Sequence, residues 1–172
     1  MAGSAGGRRL TVPPGVTTRP TADRVREATF NALGSMGVIA EAAVVDLFAG
    51  SGAMGIEALS RGATRATFVD SDLAARRAIE ANLAACGLVA ASEVVAAPVD
   101  RFLAGAQQRR WDLALLDPPY DFDGWPELLL ALPAQTAVLE SSRPVDPPFG
   151  WEVVRSKRYG RTHVVIATRL VV

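Results

Sequence analysis

Short apolar runs alternate with helical segments through most of this chain, and that alternation limits what it can fold into. The runs Ala43–Phe48, Ala66–Asp70, Glu93–Ala97, Asp112–Leu116 and Thr136–Leu139 have the length and β-branched content of buried strands. Helical candidates lie between them, at Gly52–Arg61, Leu73–Cys86, Asp100–Arg109 and Trp125–Leu132. Each crossover must bring the chain back to the same edge, so consecutive strands run parallel. Strands apolar on both faces call for helices on both sides of the sheet. The best-defined helix follows Asp72, a suitable N-cap. Ala75, Ile79, Leu83 and Cys86 share its inner face, and Gly87 ends it.

The ends of the chain differ. Residues 1–20, rich in Gly, Pro, Thr and Arg, read as an N-terminal arm, and Thr21 caps a helix running to about Met36. Residues 141–150 carry three prolines and form a loop. Beyond them, Trp151–Arg155 and Thr162–Arg169 form a hairpin around Tyr159-Gly160, which places one antiparallel strand at the end of the sheet. The expectation is a single α/β domain over 21–172, with a mostly parallel sheet and helices on both faces.

Composition narrows the chemistry. A length of 172 residues fits one domain. No charge-free stretch of 18 apolar residues occurs, and Met1–Arg9 has no apolar leader core, so neither a membrane span nor a secretory leader is expected. Cys86 is the one cysteine, which excludes an internal disulfide and a zinc CxxC pair, and His163, the one histidine, sits in the apolar run Val164-Val165-Ile166, which argues against a His-based triad or a multi-His metal centre. No metal is expected. Chemistry falls to carboxylates, Tyr, Ser, the backbone or a bound cofactor. The net charge is zero but segregated: +3 over residues 1–30, −7 over 31–150 and +4 over 151–172.

The strand Val44–Phe48 runs into Ala49-Gly50-Ser51-Gly52-Ala53-Met54-Gly55, which opens a helix. Such glycines allow a tight turn and close approach of a ligand to the backbone, although the same pattern also serves plain strand-to-helix turns. Asp70 follows Gly50 by 20 residues at the end of the next strand, where a carboxylate accepts both hydroxyls of a ribose or charges a helix N-terminus. NAD and S-adenosylmethionine both fit, whereas the absence of Gly-Lys-Ser/Thr excludes a Walker A loop. Asp46 favours the second cofactor. A carboxylate inside an apolar strand needs a partner. An ammonium or sulfonium provides one, and a pyrophosphate is repelled.

Asp117-Pro118-Pro119-Tyr120 follows the strand ending at Leu116. Two prolines remove two amide donors and fix two φ angles, which leaves a stiff, acceptor-rich turn at a strand's carboxyl end. Asp117 and the Pro118 carbonyl can each accept one N–H of an amino group, and Tyr120 offers a face on which a base stacks for roughly 1–3 kcal/mol. Two fixed acceptors can turn the lone pair of a delocalised amine toward a methyl donor, with positioning and electrostatics supplying most of the acceleration. The bland reading of the tetrad is a strand terminator.

The sequence resembles the class I S-adenosylmethionine-dependent methyltransferases, and within them the RsmD family of bacterial small-subunit ribosomal RNA guanine-N2 methyltransferases. The resemblance runs through Gly6-Gly7-Arg8-Arg9-Leu10, Thr18-Arg19-Pro20-Thr21-Ala22-Asp23-Arg24-Val25-Arg26-Glu27-Ala28, Phe30-Asn31, Asp46–Gly52, Phe68-Val69-Asp70, Asp117–Tyr120 and Tyr159-Gly160-Arg161-Thr162. It implies a Rossmann-like, seven-stranded, mostly parallel sheet with one antiparallel strand. It implies that Asp46, Gly50, Ser51 and Gly52 line the methionine side of the cofactor and that Asp70 holds its ribose. Asp117, Pro118, Pro119 and Tyr120 would hold a guanine flipped from a loop of 16S rRNA, in the small ribosomal subunit or its assembly intermediate. The basic ends supply RNA contacts, with Arg8, Arg9, Arg19, Arg24, Arg158 and Arg161 as candidates. A cytoplasmic monomer is expected.

Two departures stand out. Relatives begin with a short strand before the Gly-Gly-Arg stretch, so the arm reads as a shortened hairpin. Pro98 stands where relatives place a polar residue near the adenine amino group, which leaves Asp100 or the Val99 backbone to make that contact. Three other functions compete: methylation of another amino group (adenine, cytosine or a glutamine amide), an NAD-binding oxidoreductase, and a silent RNA-binding module.

Overall fold

The computed structural model describes residues 3–8, 10–13 and 20–170. Seven strands form one sheet: β1 (Ala43–Leu47), β2 (Arg65–Asp70), β3 (Ser92–Ala96), β4 (Trp111–Leu116), β5 (Ala134–Ser141), β6 (Trp151–Tyr159) and β7 (Thr162–Arg169). Their order is β3-β2-β1-β4-β5-β7-β6. The first five pair in parallel, and β7 runs antiparallel to both β5 and β6. The antiparallel strand therefore lies one position in from the edge. β6 occupies the edge itself and points the same way as β5. Strand order reverses between β1 and β4, and ligands bind at the carboxyl ends of strands beside such a switch point.

Among the described residues, five α-helices cover the sheet: α1 (Pro20–Ser35), α2 (Ala53–Ser60), α3 (Leu73–Cys86), α4 (Val99–Gly105) and α5 (Trp125–Ala131). The period-two alternation of each strand sorts its side chains between two cores. Val44, Phe68, Leu113, Leu115 and Val138 meet Phe30, Ile56 and Ile79 on the side of α1, α2 and α3. Val45, Val69, Leu116 and Leu139 meet Phe102, Trp125 and Leu129 on the side of α4 and α5. Asp72 caps α3 by accepting the Ala75 N–H at 2.8 Å, and Gly87 closes it at φ 71°.

Several boundaries move from expectation. Helix α1 starts at Pro20, so Thr21 lies inside it rather than capping it. Helix α4 stops at Gly105 instead of Arg109, because the chain tightens there and the Ala106 N–H bonds the Leu103 carbonyl. Arg109 is thereby freed to fork onto Glu93 of β3, at 2.7 and 3.0 Å. Strand β6 runs four residues past Arg155, through a bulge between Val153 and Arg155. Its residues are mostly exposed, so no apolar pattern marks its length.

The arm is docked. Its described part begins with a 3-10 turn, Gly3–Ala5, whose Ala5 N–H donates to Ser60 Oγ at 2.8 Å. Asn82, only 2% exposed on the inner face of α3, does more. Its Oδ1 accepts the Thr11 N–H at 2.7 Å, and its Nδ2 donates to the Thr11 and Ser51 carbonyls at 2.8 and 2.9 Å. One amide thus ties the arm to the glycine loop. Asn82→Ala strands these backbone groups, and the expected loss is about 1–3 kcal/mol in denaturant unfolding, with new protease cleavage near Thr11. A wild-type midpoint and an uncut arm would refute the tie.

Candidate active site

The β1–α2 turn is shaped by an aromatic ring. Phe68 of β2 is fully buried beneath it. A Cβ on Gly52 would stand 3.3 Å from both Phe68 Cε1 and Ile79 Cγ1, and one on Gly55 would stand 2.8 Å from Phe68 Cζ. Gly52 also has φ 76° as the N-cap of α2. Gly52 is therefore a packing glycine and is absent from the lining of the adjacent cleft, whereas Gly50 and Ser51 line it. Bare at that point, the first turn of α2 lets the Gly55 N–H donate to Asp46 Oδ2 at 2.8 Å.

Four carboxyls converge here from the adjacent strands β2, β1, β4 and β5: Asp70, Asp46, Asp117 and Glu140, all lining one cleft. Asp70 Oδ2 accepts the Gly50 N–H at 2.9 Å and its Oδ1 accepts the Asp72 N–H at 2.9 Å, so Asp70 links the glycine loop to the start of α3. Each oxygen keeps a lone pair for another donor. Asp46 is 3% exposed. Burial holds its carboxyl well above the ordinary aspartate range, against the pull of the Gly55 N–H, and the charges of Asp117 and Asp70 push it further up. Asp117 opens onto the cleft but is ringed by protein atoms, and that desolvation pushes its carboxyl up to about 6. Burial, and then the Asp117 charge, push Glu140 up to about 8, while Arg26 pulls it down.

The Asp-Pro-Pro-Tyr turn is braced from two sides. Phe48, at the strained φ of 61°, lines the cleft and meets Phe122 edge-on at 5.4 Å, and Phe122 meets Trp125 at 5.2 Å. The Phe122 N–H donates to the Pro119 carbonyl at 3.0 Å, and the Ser142 hydroxyl donates to the Tyr120 carbonyl at 3.2 Å. The Tyr120 side chain stays free, at 66% exposed. Pro98, Val99 and Asp100, at the start of α4, line the far side of the cleft.

Helix α1 walls one side of the cleft through Ala22, Asp23, Arg26 and Glu27. Glu57 of α2, 2% exposed, takes Arg61 Nε at 2.8 Å and faces Arg26 Nε at 3.8 Å. Arg61 also donates to Asn31 at 2.9 Å and lies over the Phe30 ring. Of the arginines proposed from sequence, Arg8 and Arg161 line the cleft. Arg24 is exposed on α1 outside the lining, and Arg158 turns back to donate to the Gly160 carbonyl at 2.7 Å. Arg9 and Arg19 lie outside the described residues. Sequence reasoning missed Arg26, Glu57 and Glu140. Glu140 carried a usable signal: like Asp70 and Asp117, it is an acidic residue closing an apolar run.

The cleft holds about 2460 Å³. That exceeds the roughly 300–1,000 Å³ of a small-molecule pocket and leaves room for a second, larger ligand. Among the described residues, no group of three or more His, Cys, Asp or Glu is placed to hold a metal ion, and no helix is long and apolar enough to cross a membrane.

A reversed parallel sheet, a glycine loop at its switch point and an Asp-Pro-Pro-Tyr turn on the neighbouring strand define the Rossmann-like fold of the class I methyltransferases. The family model described as "Conserved hypothetical protein 95" matches residues 1–168. The Ribosomal RNA small subunit methyltransferase D of Haemophilus influenzae is 32% identical, over 93% of this chain and 88% of that protein. The Bacillus subtilis protein YlbH is 40% identical over 122 residues, which span 70% of this chain and 65% of YlbH. The solved structure of Escherichia coli yhhF superimposes with a TM-score of 0.84 at 34% identity, covering 98% of this chain and 96% of that one. The chain belongs to this family, the RsmD family of class I methyltransferases.

The crowding of carboxyls has a measurable consequence for stability. Glu140 has an ordinary value of 4.5, raised to about 8 in the fold. Below the ordinary value, folded and unfolded chains both hold the proton. Between the two values the unfolded chain binds fewer protons, so stability falls as pH rises, and the loss is complete above the raised value. Glu140→Gln removes that loss. Its melting temperature should match wild type near about pH 4 and exceed it by at least roughly 2 °C near about pH 8.5. Equal melting at both pH values would contradict the assigned environment.

Proposed function

We propose that this chain is an S-adenosylmethionine-dependent ribosomal RNA methyltransferase that modifies the exocyclic N2 of a guanine in the small ribosomal subunit. One observation carries the reading: the four carboxyls line a single cleft beside a stiff, acceptor-rich turn. The charges of Asp117 and Asp70 both bear on the buried Asp46, and a cationic ligand relieves that repulsion. The name of the Haemophilus relative supports the substrate class.

S-adenosylmethionine would supply an electrophilic methyl group on a sulfonium. Asp46, Gly50 and Ser51 would hold its methionine portion and Asp70 its ribose, with Val99 and Asp100 beside the adenine. Asp117 and the Pro118 carbonyl hold the target amine by its two N–H groups, which fixes the direction of the nitrogen lone pair. Pro119 keeps the turn stiff. Tyr120 stacks on the flipped base. Water or the Asp117 carboxylate takes the proton. Arg8 and Arg161 at the rim would meet phosphates.

Asp117→Ala is expected to keep cofactor affinity by calorimetry and lower radiolabelled methyl transfer to small subunits by at least about 100-fold. Wild-type transfer should rise as pH passes about 6, because Asp117 is the stronger acceptor once ionised. Native-rate transfer by the variant would remove Asp117 from the chemistry. Binding to subunit RNA should weaken with salt, and Arg161→Ala should reduce the slope by about one ion. An unchanged slope would place Arg161 away from phosphate.

A further inference from the structure

Glu140 stands beside Asp117 by construction. Leu116 of β4 pairs with Leu139 of β5, and Asp117 and Glu140 are the next residues on these parallel strands. Neighbouring strands lie about 4.8 Å apart, and residues level with each other put their side chains on the same face. Both residues line the cleft, with Arg26 of α1 and Thr162 at the start of β7 as further walls. The charged groups that bear on Glu140 are Asp117 and Arg26, and they act in opposite directions.

A base whose amino group is held at Asp117 presents its next ring atoms to this neighbour. In guanine those are N1–H and then O6, a donor followed by an acceptor. Adenine and cytosine present a bare ring nitrogen there instead. A neutral carboxyl accepts through its carbonyl oxygen and donates through its hydroxyl, so it matches the guanine pair with two hydrogen bonds. We infer that Glu140 is the specificity-determining residue of this site, reading the N1–H and O6 edge of guanine while Asp117 holds the N2 amine. This rests on the guanine-N2 reading above. Both carboxyls are held above their ordinary values, to about 6 for Asp117 and about 8 for Glu140, so near neutral pH this neighbouring pair retains a proton to donate to O6.

The test uses small subunits. The nucleotide methylated by wild type is first mapped in subunits from a strain lacking the enzyme. Subunits are then reconstituted with guanine or 2-aminopurine at that nucleotide. 2-Aminopurine keeps the amine but lacks the N1–H and O6. Single-turnover rates are compared between wild type, Glu140→Ala and Glu140→Gln, and the comparison cancels the difference in intrinsic reactivity of the two bases. The guanine to 2-aminopurine rate ratio should fall about tenfold or more in Glu140→Ala. It should be largely kept in Glu140→Gln, whose amide repeats the acceptor and donor of a neutral carboxyl. A ratio that ignores residue 140 overturns the inference even where N2-methylguanosine forms. A wild-type product other than N2-methylguanosine overturns the function itself, and the inference falls with it.

Discussion

The Phe68 ring fills the space beneath the β1–α2 turn, blocks a side chain at position 55 and crowds one at position 52, where φ is also positive. Everything at the site is built from that packing. With no side chain at Gly55, the backbone of α2 comes close enough to bond Asp46, and Gly50 is placed to bond Asp70. Asn82 then takes the Ser51 carbonyl and fastens the arm to the same loop. A core contact between a ring and two glycines so becomes a rigid set of acceptors at the sheet's edge.

The electrostatics of the cleft follow from its topology. Parallel strands deliver their last residues to one edge, and here four adjacent strands each deliver a carboxyl. Burial raises Asp46, Asp117 and Glu140 above their ordinary values, and neighbouring acidic charges push Asp46 and Glu140 further. Such crowding costs stability in the free protein, as sites arranged for binding commonly do. The counterweight is local and cationic: Arg26, held between Asp23 and Glu57, brings positive charge to the wall facing Glu140.

Much of this was legible in the chain itself. The strands from Ala43 to Leu139 and the helix Leu73–Cys86 stand out because burial on a two-faced sheet or a helix face imposes a visible period. Asp46 and Asp117 stand out because a carboxylate in or after an apolar run is costly without a reason. The exposed strand β6 and the end of α4 carry no such period and were misplaced by several residues. Arg26 could not be told from Arg24 by sequence, since only the packing of α1 on α2 decides which of them turns into the cleft.

The sequence by itself determined the parallel sheet, the glycine loop and the two acidic motifs, because periodicity, φ requirements and the cost of buried charge are local properties of the chain. Only the tertiary structure decided which glycines line the cleft and which pack against Phe68, that Asn82 pins Thr11 of the arm, and that Glu140 stands level with Asp117. Those facts depend on strand order and register. Residues 23 positions apart in sequence become neighbours through the pairing of β4 with β5, and no local pattern encodes that pairing.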